Sequence, residues 1–131
     1  MPEFSKSSIK KLETCNSSLI YLFTEVVKEF DCTVICGNRN KKEQNRAFND
    51  GFSMVEFPFS KHNSIPSDAV DVVPYPIDWE DIERFEHFGF FTLGVAVGLG
   101  LKITWGGDFS KNYYINDEKF IDLPHYQIVI I

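Results

Sequence analysis

The run Ala69-Val70-Asp71-Val72-Val73 sets an aspartate in the middle of an apolar, β-branched stretch. Runs of this composition and length read as buried strands. A carboxylate buried without a counter-charge is costly. Any fold of this chain must therefore bring a cation or hydrogen-bond donors to Asp71. The candidates are a salt bridge to an arginine, the cap of a turn, and a metal ion shared with other ligands.

The remaining elements follow from hydrophobic periodicity. Ile9, Leu12, Cys15, Leu19, Leu22, Phe23, Val26 and Phe30 recur at helical spacing. They predict one long amphipathic helix over 8–30, with Asn16-Ser17-Ser18 as its weak point. A short β-branched strand follows over 31–37, then a short helix over 41–51 closed by Gly51. Residues 52–68 form a loop rich in Ser and Pro. The strand 69–75 leads to a helix over 78–100, with acids in its first turn as the macrodipole favours. A strand over 101–105, a loop over 106–124 and a last strand over 125–131 complete the chain. Mixed helices and short strands in this order predict an α+β fold in one domain, 1–131.

Composition supports a packed core and narrows the function. The hydrophobic fraction is 44%, and 13 of the 131 residues are Phe. Thirteen Lys and Arg against nineteen Asp and Glu give a net charge of −6, which argues against non-specific nucleic-acid binding and against a polybasic membrane patch. The longest apolar stretch, FFTLGVAVGLGLKI, is too short and too broken by Gly to span a bilayer, so no stable membrane insertion is expected. The N-terminus has no apolar core of a signal peptide. The odd count of cysteines (Cys15, Cys32 and Cys36) implies reduced thiols. Cys32 and Cys36 lie close together, but no second Cys/His pair completes a zinc knuckle, so all three are read as core thiols.

Two of the three histidines stand at element edges. His62 precedes the strand that carries Asp71, and His125 opens the last strand; His87 lies inside a helix among acids and is read as solvated. If the two strands are sheet neighbours, His62, Asp71 and His125 can converge. Two imidazoles and a carboxylate suit catalytic Zn²⁺ with one open position. Asp71 capping a turn or pairing with an Arg remains the alternative, and on spacing alone it weighs more. Asp122, three residues before His125 with Pro124 between them, could serve a metal hydrolase as its proton-transferring carboxylate; the alternative is a loop acid in solvent.

The ordered motifs SKHNSIPSDAVD, WGGDF and DLPHY, with GNRNKKEQ upstream, resemble the zinc peptidases of the D-Ala-D-Ala carboxypeptidase class. The likeness is greatest to the phage L-alanyl-D-glutamate endopeptidases, which are cell-wall lysis enzymes, and it covers residues 8–131. One departure is the loop between His62 and Asp71, nine residues apart, which is longer than the common form and lacks its Gly. The resemblance implies Zn²⁺ on His62, Asp71 and His125, and Asp122 as general base. It also implies Arg39 facing the substrate carbonyl or carboxylate, and Ser60 supporting the ligands. The fold it implies is the small α+β fold shared with hedgehog domains, a short antiparallel sheet with packed helices.

The same resemblance implies hydrolysis of the L-Ala–D-Glu bond in the peptidoglycan stem peptide by a monomer. The protein would be made in the host cytoplasm and released once the membrane is permeabilised. The rivals are a D-Ala-D-Ala carboxypeptidase or dipeptidase on the same metal site, and a non-catalytic zinc domain that would need neither Asp122 nor Arg39. Within WGGDF, Gly106 and Gly107 suggest positive φ or close backbone approach. Trp105 is expected to wall the cleft and Asp108 to brace the loop.

Overall fold

The computed structural model describes residues 1–115 and 121–129. In chain order it contains α1 (Lys6–Leu12), α2 (Ser17–Glu29), β1 (Cys32–Cys36), α3 (Lys41–Asn49), a 3₁₀ turn (Lys61–Asn63), β2 (Ala69–Pro74), α4 (Ile82–Gly98), β3 (Ile103–Trp105) and β4 (His125–Ile128). The strands form an antiparallel sheet in the order β1-β2-β4-β3. The fold is α+β, as the element order predicts.

The expected helix over 8–30 is two helices. Asn16 ends the first segment by capping α2, its Oδ1 accepting from Ser18 N at 3.0 Å. An Asn at a helix start satisfies an otherwise orphaned N–H, which competes with carrying the helix through. Cys15, just before the cap, forms an isolated bridge with Ser67 and ties the break to the loop before β2. Helix α4 begins at Ile82 rather than 78, because Asp81 takes the N-cap and accepts from Arg84 N at 3.2 Å. Strand β3 is confined to three residues, and the predicted end of the last strand, residues 130–131, lies outside the described residues.

Successive residues of a strand face opposite sides of the sheet. On β2, Val70 and Val72 face the helices and join Leu19, Leu22, Phe23 and Phe88 in the core. Burying a side chain of this kind contributes about 1.5–3 kcal/mol. Asp71, between them, faces the other side. On β4, Tyr126 packs edge-on to Phe23 with ring centroids 5.1 Å apart, which turns His125 and Gln127 to Asp71's side. The helical layer thus covers one face of the sheet, and the polar residues gather on the other.

Trp105 belongs to the helical side. It is wholly buried against Phe90, and its Nε1 donates to Leu123 O at 2.7 Å. The expectation that it walls a cleft is therefore corrected: the β3 alternation points it into the core. Gly89 on α4 has no Cβ because the Trp105 ring occupies that space. Asp108 does brace its loop, Oδ1 accepting from Asn112 N at 3.2 Å and Oδ2 from Tyr113 N at 2.8 Å.

Candidate active site

Sheet register builds the centre of the site. Asp71 is paired across the sheet with Cys36 on β1 and with His125 on β4. The register of β1 shifts between Val34 and Cys36. A bulge at this point turns Cys36 away from the core side that Val34 faces and toward Asp71. Cys36 is accordingly half-buried beside the site and not the core thiol expected. Cys15 and Cys32 are buried in the core, and burial pushes the Cys15 thiol up to about 11.

His62 arrives on the 3₁₀ turn. Ser60 caps that turn, its Oγ accepting from His62 N at 3.1 Å. The turn is stitched to the segment before α3: Arg39 N donates to His62 O at 2.8 Å, and Asn63 Nδ2 donates to Arg39 O at 3.1 Å. Helix α3 starts with a reciprocal cap between Asn40 and Glu43. Arg39, one residue upstream, is thereby held at a fixed angle to the sheet.

His62 Nε2 lies 3.2 Å and His125 Nδ1 3.4 Å from Asp71 Oδ1, and the two imidazole rings are 5.2 Å apart. The other carboxylate oxygen, Oδ2, accepts from Arg39 Nη2 at 3.2 Å. The arginine pairing expected as the alternative is present, and the two histidines stand close enough to share the acid with a metal. An arginine holds one oxygen, and two histidines converge on the other. His125 Nε2 is 2.7 Å from Gln127 Oε1; when that nitrogen carries the ring proton, Nδ1 presents a lone pair to the cluster.

The same logic applies to His62. Its Nδ1 is 2.8 Å from the Gly37 carbonyl oxygen, which only accepts. The proton of the neutral ring therefore sits on Nδ1, and a bare Nε2 faces the carboxylate. His62 Nε2 and Asp71 Oδ1 are both buried without a hydrogen-bond partner among the described residues, although they are close enough to pair as charges. Two buried acceptors facing one another call for a cation between them.

Without a metal, a second proton on His62 can meet that need. Burial opposes the extra charge, but the Asp71 carboxylate and the Cys36 thiol outweigh it and raise the imidazole to about 10. Burial also works against the Asp71 charge, yet His125 and His62 hold its carboxyl well below the usual range. With a metal, the donor set is two imidazole nitrogens and a carboxylate, each already oriented by another bond, as metal-ligating histidines ordinarily are.

Cys36, His62 and Asp71 also form a compact group, with one ligand atom from each within 4.8 Å of the others. However, Cys36 Sγ approaches His62 on the Nδ1 side, at 3.9 Å, and accepts from Arg39 Nε at 3.3 Å. That nitrogen is committed to Gly37. His125 adds its Nδ1 at 3.4 Å from Asp71 Oδ1, so two imidazoles and a carboxylate could also hold a metal, with Cys36 beside them. Sequence reasoning missed Cys36 because a bulge leaves no mark in composition.

Asp122 lies at the cleft with Arg39, His62 and His125. Its backbone N donates to Gly106 O at 2.8 Å, and its carbonyl accepts from His125 N at 3.1 Å. A Cβ at residue 106 would overlap the Asp122 carbonyl. Gly106 thus serves close approach and not positive φ. Burial and the Asp71 charge push the Asp122 carboxyl above its ordinary value, while His125, His62 and Arg39 pull it back. Arg39, His62 and His125 contact Asp71, and Asp122 lines the same cleft as those three. His87 stays on the surface, 3.7 Å from Glu83.

A buried acid–histidine cluster at the foot of a cleft, with a second carboxylate of raised proton affinity beside it, defines a hydrolase site on a small α+β domain. A family model described as phage L-alanyl-D-glutamate peptidase matches residues 2–129, and the chain belongs to that family. Among curated proteins, the L-alanyl-D-glutamate peptidase of Escherichia phage T5 is 29% identical over 121 residues, covering 88% of each chain. Among solved structures, the L-Ala D-Glu endopeptidase ChiX of Serratia marcescens matches with a TM-score of 0.74 and 21% identity, over 97% of this chain and 90% of that one. That last likeness concerns the fold.

Proposed function

We propose that the protein is a zinc-dependent peptidoglycan endopeptidase that hydrolyses the L-Ala–D-Glu bond of the stem peptide; the T5 relative's name, L-alanyl-D-glutamate peptidase, supports the bond. The observation that carries the metal is the pair of orphaned acceptors, His62 Nε2 and Asp71 Oδ1, facing each other beside His125 Nδ1. Those three side chains would hold the ion. When bound, Zn²⁺ supplies Lewis acidity at the scissile carbonyl and makes water easier to deprotonate.

The chain's own residues do the rest. Asp122 takes the proton of the attacking water and hands it to the departing amine of the D-Glu residue, which leaves neutral. A carboxyl with raised proton affinity is suited to both halves of that transfer. Arg39 lines the cleft, and Cys36, Gln44 and Asp71 hold its guanidinium in a fixed plane. Its charge stands near the carbonyl that becomes negative in the transition state. The Gly37 carbonyl keeps the His62 ring in one orientation, and Ser60 caps the turn that carries it.

The context is lysis of a bacterial wall by a phage enzyme that reaches its substrate after the membrane is permeabilised. No described helix is long and apolar enough to cross a membrane. The test is mass spectrometry of products from purified peptidoglycan. New amino groups on D-Glu, with the terminal D-Ala retained, are expected. Release of D-Ala with the L-Ala bond intact would promote the carboxypeptidase reading, and the metal site would survive that result.

A further inference from the structure

Gln44 is the one buried residue of α3, and it is fully buried although an Ala and a Phe of the same helix are not. A leucine would bury as well, so the amide needs a reason. All four of its hydrogen-bonding positions are filled. Oε1 accepts from Arg39 Nη1 at 3.3 Å and from Asn63 Nδ2 at 3.2 Å. Nε2 donates to Ser53 Oγ and to Val55 O, both at 2.8 Å. The reversed amide would set N–H against N–H at one end and oxygen against oxygen at the other. The orientation is therefore fixed by its partners.

The two ends serve two parts of the cleft. The oxygen end grips Arg39 and the turn that carries His62. The nitrogen end grips the segment 53–55, which has no regular secondary structure. That segment and its flanks raise an apolar rim: Phe52, Met54 and Phe59 are 83%, 72% and 78% exposed. The rim borders the same cleft as His62, Asp122 and His125. Side chains so exposed cannot anchor a loop by packing. Its backbone is held at Ala47 O, which accepts from Phe52 N and Ser53 N, and at Asn45 Oδ1, which accepts from Phe57 N at 3.3 Å. Between those points the hold is Gln44 and the Ser53 hydroxyl.

We propose that Gln44 is a positioning residue that sets the apolar rim at a fixed distance from Asp122 and the histidines, so that the uncharged part of the stem peptide lies against Phe52, Met54 and Phe59 while its scissile bond meets the reacting centre. This rests on the peptidase reading above. It assigns substrate alignment to a side chain that touches no substrate. Misplacement of a binding wall weakens the bound complex more than the chemistry that follows.

The test uses Gln44→Glu and Ser53→Ala in the zinc-loaded full chain. Glu has the shape of Gln and keeps an acceptor for Arg39 and Asn63, but it places a carboxylate oxygen against Val55 O. Ser53→Ala removes the other support and leaves α3 intact. Both variants should keep wild-type zinc content and show faster amide hydrogen exchange over 53–57. On a purified muropeptide, KM should rise about five- to tenfold, the scale of one or two lost hydrogen bonds, and by more than kcat falls. Unchanged KM and unchanged exchange, with only a lower Tm, would overturn the proposal. So would a fall in kcat alone, which would tie Gln44 to Arg39 and not to the rim. If the wild type fails to cut the L-Ala–D-Glu bond, the function reading fails, and the exchange data alone then decide whether Gln44 holds the rim.

Discussion

Asp71 and His125 are direct partners across β2 and β4, with Asp71 Oδ1 lying 3.4 Å from His125 Nδ1. One backbone pairing thus sets the distance between a carboxylate and an imidazole from segments 54 residues apart. His62 must then arrive from a loop, and Ser60, Gly37 and Arg39 fix where it lands. The site has a rigid half made by the sheet and a braced half made by turns.

The metal is tested first. The purified protein should carry about one zinc per chain, held by three protein ligands. Alanine at His62, Asp71 or His125 should each weaken binding severely, and elemental analysis after gel filtration reads the result. Full zinc after two of them are removed together would eliminate this ligand set. Cys36→Ser should retain zinc, because Cys36 faces the committed nitrogen of His62.

Asp122→Asn keeps size and polarity but accepts no proton. Fold and zinc should be retained, with turnover down by about 10²–10⁴. Near wild-type turnover in a zinc-loaded variant would take Asp122 out of the mechanism.

Arg39 holds three acceptors in one plane: Cys36 Sγ, Gln44 Oε1 and Asp71 Oδ2. Its partners are not Glu43 or Asp50, the helix acids a sequence would suggest. A lysine ammonium cannot span that fork. Arg39→Lys should cut turnover. Because Arg39 supports Asp71, zinc affinity should also drop by about 10–100-fold, the usual effect of losing a ligand's partner. A chelator competition assay measures this, and unchanged affinity would show that Asp71 needs no such support.

Gly106→Ala pushes a methyl group into the Asp122 carbonyl. Overpacking of this kind costs about 1–3 kcal/mol. Tm should fall, and kcat should fall further than stability alone explains, because the strain moves the carboxylate proposed as general base. Wild-type Tm and kcat would show that the close approach is dispensable.

Much of the site was legible before any fold was known. An acid inside a valine strand demands neutralisation wherever that strand lies, since the cost of a lone buried charge is local chemistry. His62 and His125 at element edges, and Asp122 before Pro124 and His125, followed from position along the chain. The α+β order followed from periodicity, and the resemblance to the phage peptidases from ordered motifs. Tertiary structure decided what pairing and packing alone can fix. The antiparallel β2–β4 register brought His125 onto Asp71, and a β1 bulge brought Cys36 beside it. The inward turn of β3 took Trp105 from the cleft to the core. The Asn16 cap split one predicted helix into two. The Arg39 partners came from three separate segments, and Gln44 joined two parts of the cleft. Periodicity records which face of an element is apolar, but not which elements will be neighbours. That choice is made by long-range contacts, and at this site it places every polar partner.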